Sequence, residues 1–313
     1  MTHDRSIKIG FLYMLIWCLV TSFSHVFIGK TEQSISPNTV CFYTFLISFI
    51  FFTGMNFNNL PLLFNKIKEN KKKVVAINIT TVFCWIFFFY PLKVIEPAIV
   101  GAILLGSRYI ATIPIGKLFY KKQQVFYEDY FAAILMLIVL IYLSYLCYSD
   151  KTAIQHKTSV FEITLAITSS ILGGIALAFN TFHAKKLSDA KFTPLDTLSV
   201  RFLLLIILTG LWEFYFVKSS TSISFFYPMI VSAISLIIIP QLILQNAISK
   251  LQPVSISIAS PFMPILTFFL EFIDGRLVPT MWTISGVSSV FLICLFGISS
   301  RYRYETMYAI NKN

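Results

Sequence analysis

Within residues 101–116, GAILLGSRYIATIPIG, the single charged side chain is Arg108. If this stretch crosses a membrane, the guanidinium lies near the middle of the crossing, where it costs roughly 2.5–3.5 kcal/mol on insertion scales. A side chain that reaches about one helical turn does not escape to water from that depth. Such an arginine must face a cavity, a backbone carbonyl or an acid. Its planar fork suits a bidentate contact with a substrate carboxylate or phosphate. Pairing with a neighbouring helix is the structural alternative.

The acids bear on that choice. Glu96, Glu162, Glu213, Glu271 and Asp274 map to the outer quarter of the apolar runs or to the outer loops, and none reaches the depth of Arg108. An arginine with no carboxylate at its level keeps its charge for an anionic ligand. The same absence argues against a mid-membrane acid as proton carrier and favours exchange or uniport. Arg201 is expected to snorkel from near the inner end of its run, with Asp196 as a neighbour. His25 and His183 read as helix-end polar residues without a second ligand at metal spacing. Cys18, Cys41, Cys84, Cys147 and Cys294 sit in or beside apolar runs with no C-x-x-C pair, so they read as packing residues rather than a disulfide or zinc framework. The "NIT" sequon at Asn78 lies inside an apolar run and is discounted.

The elements that must position these residues are membrane spans. The chain has 313 residues, 57% hydrophobic and 12% charged, with a mean hydropathy of +0.77. A soluble domain carries about 25% charged residues. The net charge of +11 lies in short loops between apolar runs, not on a basic face, which excludes nucleic acid as a partner. Ten runs are long enough to cross about 30 Å of hydrocarbon: 9–29, 38–56, 74–92, 97–116, 130–148, 160–181, 197–217, 225–248, 254–273 and 279–299. The first is read as a retained span, not a cleaved leader. If the termini and even-numbered loops are cytoplasmic, that side holds seventeen Lys and Arg against six on the other. Both termini are therefore expected in the cytoplasm.

The halves repeat. SPNTVCFYTFL from Ser36 aligns with TPLDTLSVRFL from Thr193, an offset of 157. IEPAIVGAILL from Ile95 aligns with LQPVSISIASP from Leu251, an offset of 156. Five spans per half means that the second half enters the membrane from the opposite side, which makes an inverted repeat over 1–150 and 151–313.

On these residues the chain resembles the drug/metabolite transporter superfamily, in its EamA-like and nucleotide-sugar/triose-phosphate branches. The resemblance is carried by the paired SP and TP openings, by LKVIEPAIVGAIL, and by the tail from QPVSISIASPFMPILTFFLEFIDGR into WTISGVSSVFLICLFGISSR. In that tail Pro253, Pro264, Glu271, Gly275 and Gly286 follow the family's pattern. GKLFYKK stands where a glutamate often ends the fourth span. The resemblance implies an all-α bundle of two inverted five-helix repeats with a midplane cavity lined by spans 1, 3, 4, 6, 8 and 9. It implies a secondary transporter working by alternating access.

The residues that this arrangement offers to a substrate are Arg108, Tyr109, Trp17, Trp85, Asn180, Gln245 and Ser257. Asn78, Thr80, Thr81, Gln241, Asn246, Ser255 and Tyr90 are polar or aromatic neighbours on the same spans. Pro114, Pro240, Pro261 and Pro264 each remove a backbone hydrogen bond within a span, as gating helices do. The expected cargo is a small anionic or zwitterionic metabolite: an amino acid, a nucleotide or sugar derivative, a sugar phosphate or an S-adenosyl compound. No cofactor is expected. The expected partners are the solute and membrane lipids, with the chain a monomer or homodimer in a plasma (bacterial inner) membrane. The competing class is a membrane-embedded lipid-modifying enzyme, or a flippase for a lipid-linked substrate. An enzyme needs clustered Asp, His or Glu, and the short loops offer none; the longest, NFNNLPLLFNKIKENKKK, reads as a basic loop anchored at anionic head groups.

Overall fold

A computed structural model describes residues 2–31, 35–120, 124–149, 151–152, 159–216, 223–274 and 280–310. Gly275, Arg276, Lys121, Lys122, Lys157, Lys218 and Lys312 lie outside them. The described chain is all helical, and ten helices are long and apolar enough to cross a membrane. They are Ser6–Phe27, Pro37–Met55, Lys71–Val94, Pro97–Phe119, Tyr127–Tyr148, Val160–Asp189, Pro194–Phe216, Phe226–Lys250, Pro253–Ile273 and Met281–Tyr304, here spans 1 to 10. The chain thus forms a multi-pass membrane bundle. The end of the bundle that carries Lys185 and Arg301 is here the near end, and the opposite one the far end.

Local sequence sets the starts. Ser36 Oγ accepts from the Thr39 N–H at 3.2 Å, with Pro37 at the first helical position. Thr193 Oγ1 accepts from Asp196 N at 3.0 Å and Asp196 Oδ2 accepts from Thr193 N at 3.0 Å, a reciprocal capping box ahead of Pro194. Each motif satisfies amide groups that the first helical turn leaves free. PLKVIEP makes the expected tight connection: the helix of span 3 runs to Val94, and span 4 starts at Pro97.

Spans 7, 8 and 9 depart from regular helix. Span 7 is interrupted at Arg201–Phe202, span 8 carries a π segment at Ala233–Ile238 just before Pro240, and span 9 turns 3-10 at Ser260–Phe262 around Pro261. A proline that lacks an N–H and crowds the carbonyl four residues back accounts for the second and third. Pro114 lies inside the continuous helix Pro97–Phe119, where its nitrogen has no proton to donate yet the helix does not end. The basic loop is not a loop. Leu60–Glu69 forms a helix, with Leu63 buried and Leu62, Phe64 and Lys68 exposed.

Span 4 is the axis of the bundle. Most of its central window is buried, 83% against 33–61% in the other spans. Span 3 packs along span 6, and span 1 along span 8. Spans 4 and 6 approach backbone to backbone at Gly174. A Cβ there would run into the Leu104 carbonyl and sit 2.9 Å from the Arg108 nitrogen. Only glycine permits that approach.

Candidate functional site

The turn of span 4 pressed against Gly174 carries Arg108. Its side chain is fully buried, and Nη2 donates to Thr181 Oγ1 at 2.8 Å on span 6. Nε and Nη1 have no partner. No carboxylate pairs with it among the described residues, in line with the sequence reading. Two of the acids are engaged elsewhere: Glu271 Oε1 accepts from Ala98 N at 2.8 Å and thereby caps span 4, while Glu213 accepts from the Thr39 hydroxyl at 2.8 and 3.1 Å; the Asp274 side chain lies outside the description.

Arg201 does not snorkel. It sits at the break in span 7, is 2% exposed, and turns inward. Nη1 donates to Gln241 Oε1 at 3.2 Å, Nη2 donates to Asn180 Oδ1, and Nε has no partner. The break exists because span 3 replaces its lost bonds. Asn78 Nδ2 donates to the Val200 carbonyl at 2.8 Å, and Asn78 Oδ1 accepts from Leu204 N at 3.2 Å. Asp196, expected beside Arg201, instead pairs with Lys66 at 2.7 Å and Asn56 at 3.1 Å. Asn180 is held by span 3 as well, donating to Thr81 Oγ1 at 2.8 Å and Thr80 Oγ1 at 3.1 Å.

Just beyond this arginine layer, toward the far end, lies a cavity. Trp17, Thr21, His25, Cys84, Trp85, Phe88, Leu104, Leu105, Gly173, Leu177, Leu236, Gln241, Leu244 and Met263 line it, from spans 1, 3, 4, 6, 8 and 9. Its volume is about 50 Å³. Trp17, Thr21 and His25 are four residues apart and therefore share one face of span 1. They are 5%, 5% and 4% exposed, and Trp17 Nε1, Thr21 Oγ1 and His25 Nδ1 all lack a hydrogen-bond partner. The His25 ring leans on Phe88 with centroids 4.8 Å apart. Buried polar atoms are nearly always paired, so three orphans on one cavity wall point to a ligand or water. The stripe covers two turns, about 12 Å along the axis.

Of the seven residues expected to meet substrate, Trp17 and Trp85 reach the cavity wall. Arg108 stands one turn behind Leu104 on the same face of span 4. Gln245 is buried one turn beyond the lining residue Gln241, with Nε2 unpartnered. Asn180 orients Arg201 rather than lining the space. Tyr109 faces another way: its hydroxyl donates to the Asp129 carbonyl at 2.9 Å, because a step of one residue turns about 100° around the helix. Ser257 bonds Thr112 at 2.8 Å and ties span 9 to span 4. His25 lies two residues from the end of span 1, as expected, and it also lines the cavity. Its signal in the sequence was the spacing Trp17, Thr21, His25, which aligns three polar groups on an otherwise apolar helix.

Two clamps tie helices together at the near end. Lys185 Nζ donates to the carbonyls of Ile248 and Ser249 at 2.9 and 3.2 Å and joins spans 6 and 8. Arg301 grips Asp129 with two hydrogen bonds and donates to the Gln124 carbonyl at 2.9 Å, joining spans 10 and 5. Among the described residues no group of three His, Cys, Asp or Glu side chains is placed to hold a metal, and the five cysteines are buried thiols.

No family model matches the chain, and no curated protein matches it. Nineteen chains of solved structures match in fold. One, titled "Crystal structure of protein", is 13% identical with a TM-score of 0.67, covering 95% of this chain and 97% of its own. At that identity the likeness shows the fold alone.

Proposed function

We propose that the protein is a secondary transporter of a small anionic or zwitterionic metabolite, a member of the drug/metabolite transporter superfamily working by alternating access. The observation that carries the reading is the cavity whose span 1 wall holds three buried polar atoms without partners, with two buried arginines behind its floor. Such atoms are costly in the empty state and favourable once a solute supplies their hydrogen bonds. A solute site drawn from both halves of the chain is what alternating access requires.

The two halves act as inverted repeats of 1–150 and 151–313, with both termini in the cytoplasm of a plasma (bacterial inner) membrane. Support comes from the matched caps Ser36–Pro37 and Thr193–Pro194 and from Pro97 and Pro253, each the first residue of its helix. The cavity draws on spans from both halves. Exchange or uniport suits a cavity whose lining carries no acid.

A thermal-shift screen of purified protein against amino acids, nucleotides, sugar phosphates and S-adenosyl compounds identifies the solute, since ligand binding raises the melting temperature by mass action. Flux of that solute into sealed vesicles then tests the function. A transporter delivers it unchanged. Conversion to a product assigns the protein to membrane-embedded enzymes and sinks the proposal.

A further inference from the structure

Arg108 and Arg201 form one cationic layer. They are buried on spans 4 and 7 and hydrogen-bond consecutive residues of span 6, Thr181 and Asn180. Gln241, a lining residue of the cavity, holds one nitrogen of Arg201. Every partner of the two guanidinium groups is neutral: Thr181, Gln241 and Asn180. These partners fix orientation without cancelling charge. Three of their nitrogens have no partner, Nε and Nη1 of Arg108 and Nε of Arg201, and together they carry four N–H groups. A buried charge without a counter-charge is strongly unfavourable, and two near each other are worse.

We infer that the ligand carries two negative charges at the end that meets this layer, as a phosphate monoester or a compact dicarboxylate does, and that Arg201 binds it jointly with Arg108. The inference rests on the reading of this cavity as the substrate site. A phosphate monoester brings about two charges and three acceptor oxygens at neutral pH, one charge for each guanidinium and one oxygen for each of the three unpartnered nitrogens. A monoanion leaves one of the two charges uncompensated. The rest of the ligand extends toward His25 along the polar stripe of span 1.

The experiment compares melting temperatures of the purified full chain with glycerol 3-phosphate, dimethyl phosphate, fumarate, monomethyl fumarate and glycerol. Dimethyl phosphate keeps the phosphate group and monomethyl fumarate the carbon skeleton, each with one charge fewer. The expected result is a rise of about 3 °C or more with a dianion near a hundred times its Kd, and none with the matching monoanion or with glycerol. Arg108→Gln and Arg201→Gln should each raise the apparent Kd at least tenfold. Arg201→Lys, which keeps the charge, should lose less and covers the case in which the glutamine variant does not fold. Repeating the series at pH 5.5 and 7.5 separates the sources. Phosphate-driven stabilisation grows as the second proton leaves near pH 6. Stabilisation by fumarate, doubly ionised at both values, stays level and controls for titration of His25.

Equal stabilisation by dianion and monoanion, stabilisation by glycerol alone, or no stabilisation by either dianion overturns the inference. Vesicle flux is scored separately. A dianion that stabilises without crossing overturns the transporter reading and supports the arginine cradle. A neutral or monoanionic solute that crosses while no dianion stabilises does the reverse.

Discussion

The side chains that face the cavity and those that hold its walls respond to mutation in opposite ways. Thr21→Val and His25→Phe remove orphaned polar atoms and keep the shape. Melting temperature should hold or rise, because no buried partner is left behind. Transport should fall by tenfold or more, read as the initial rate in vesicles. Arg108→Gln should weaken substrate binding by about ten- to hundredfold, since charge-assisted hydrogen bonds contribute roughly 1.5–3 kcal/mol. Its melting temperature should not drop steeply, as the buried charge has only Thr181 as partner. A steep drop with affinity intact would make Arg108 a structural pin. Depth along a span was legible in the sequence, and Arg108, Trp17 and Trp85 were found by it. Direction around the helix was not. Tyr109 and Ser257 lie at suitable depth but face Asp129 and Thr112. Arg201 misled because a regular helix would have let it snorkel, and only the interruption at Arg201–Phe202 turns it inward.

At the scale of elements, the spans owe their geometry to a few side chains that replace backbone bonds or allow backbones to touch. Asn78 bonds both sides of the span 7 break. Asn78→Leu leaves the Val200 carbonyl and the Leu204 amide buried and unpaired, at about 1–3 kcal/mol each. Thermal unfolding should shift down by several degrees, whereas Asn246→Leu, whose amide only bonds its own helix at Leu242, should shift it little. Gly174→Leu should separate spans 4 and 6 and displace Arg108. A loss of affinity larger than that of Thr181→Val would be its signature in a binding titration. The runs of apolar residues revealed all ten spans, since length and hydropathy report burial in lipid directly. The interruptions in spans 7, 8 and 9 were half visible: the prolines marked spans 8 and 9, but the break in span 7 depends on an asparagine more than a hundred residues away. The helix Leu60–Glu69 was hidden by its lysines, which composition alone assigns to a loop.

For the whole molecule, the ends of the bundle differ. At the near end Lys185 of span 6 bonds the end of span 8 and Arg301 grips Asp129, while the cavity draws on the outer parts of its spans. With both termini cytoplasmic, a cysteine placed at Ser149 should react with an impermeant maleimide in intact cells. Labelling only after lysis would reverse the orientation. The central claim is that the cavity behind Trp17, Thr21 and His25 carries a solute across the membrane. It is tested most directly by counterflow in vesicles containing wild type or the Thr21→Val/His25→Phe pair. The account predicts saturable uptake of the unchanged, labelled solute found by thermal shift, accelerated by the same solute inside, and lost in the pair while its melting temperature is kept. Uptake at the wild-type rate in the pair, or recovery of a chemically altered product, would contradict it.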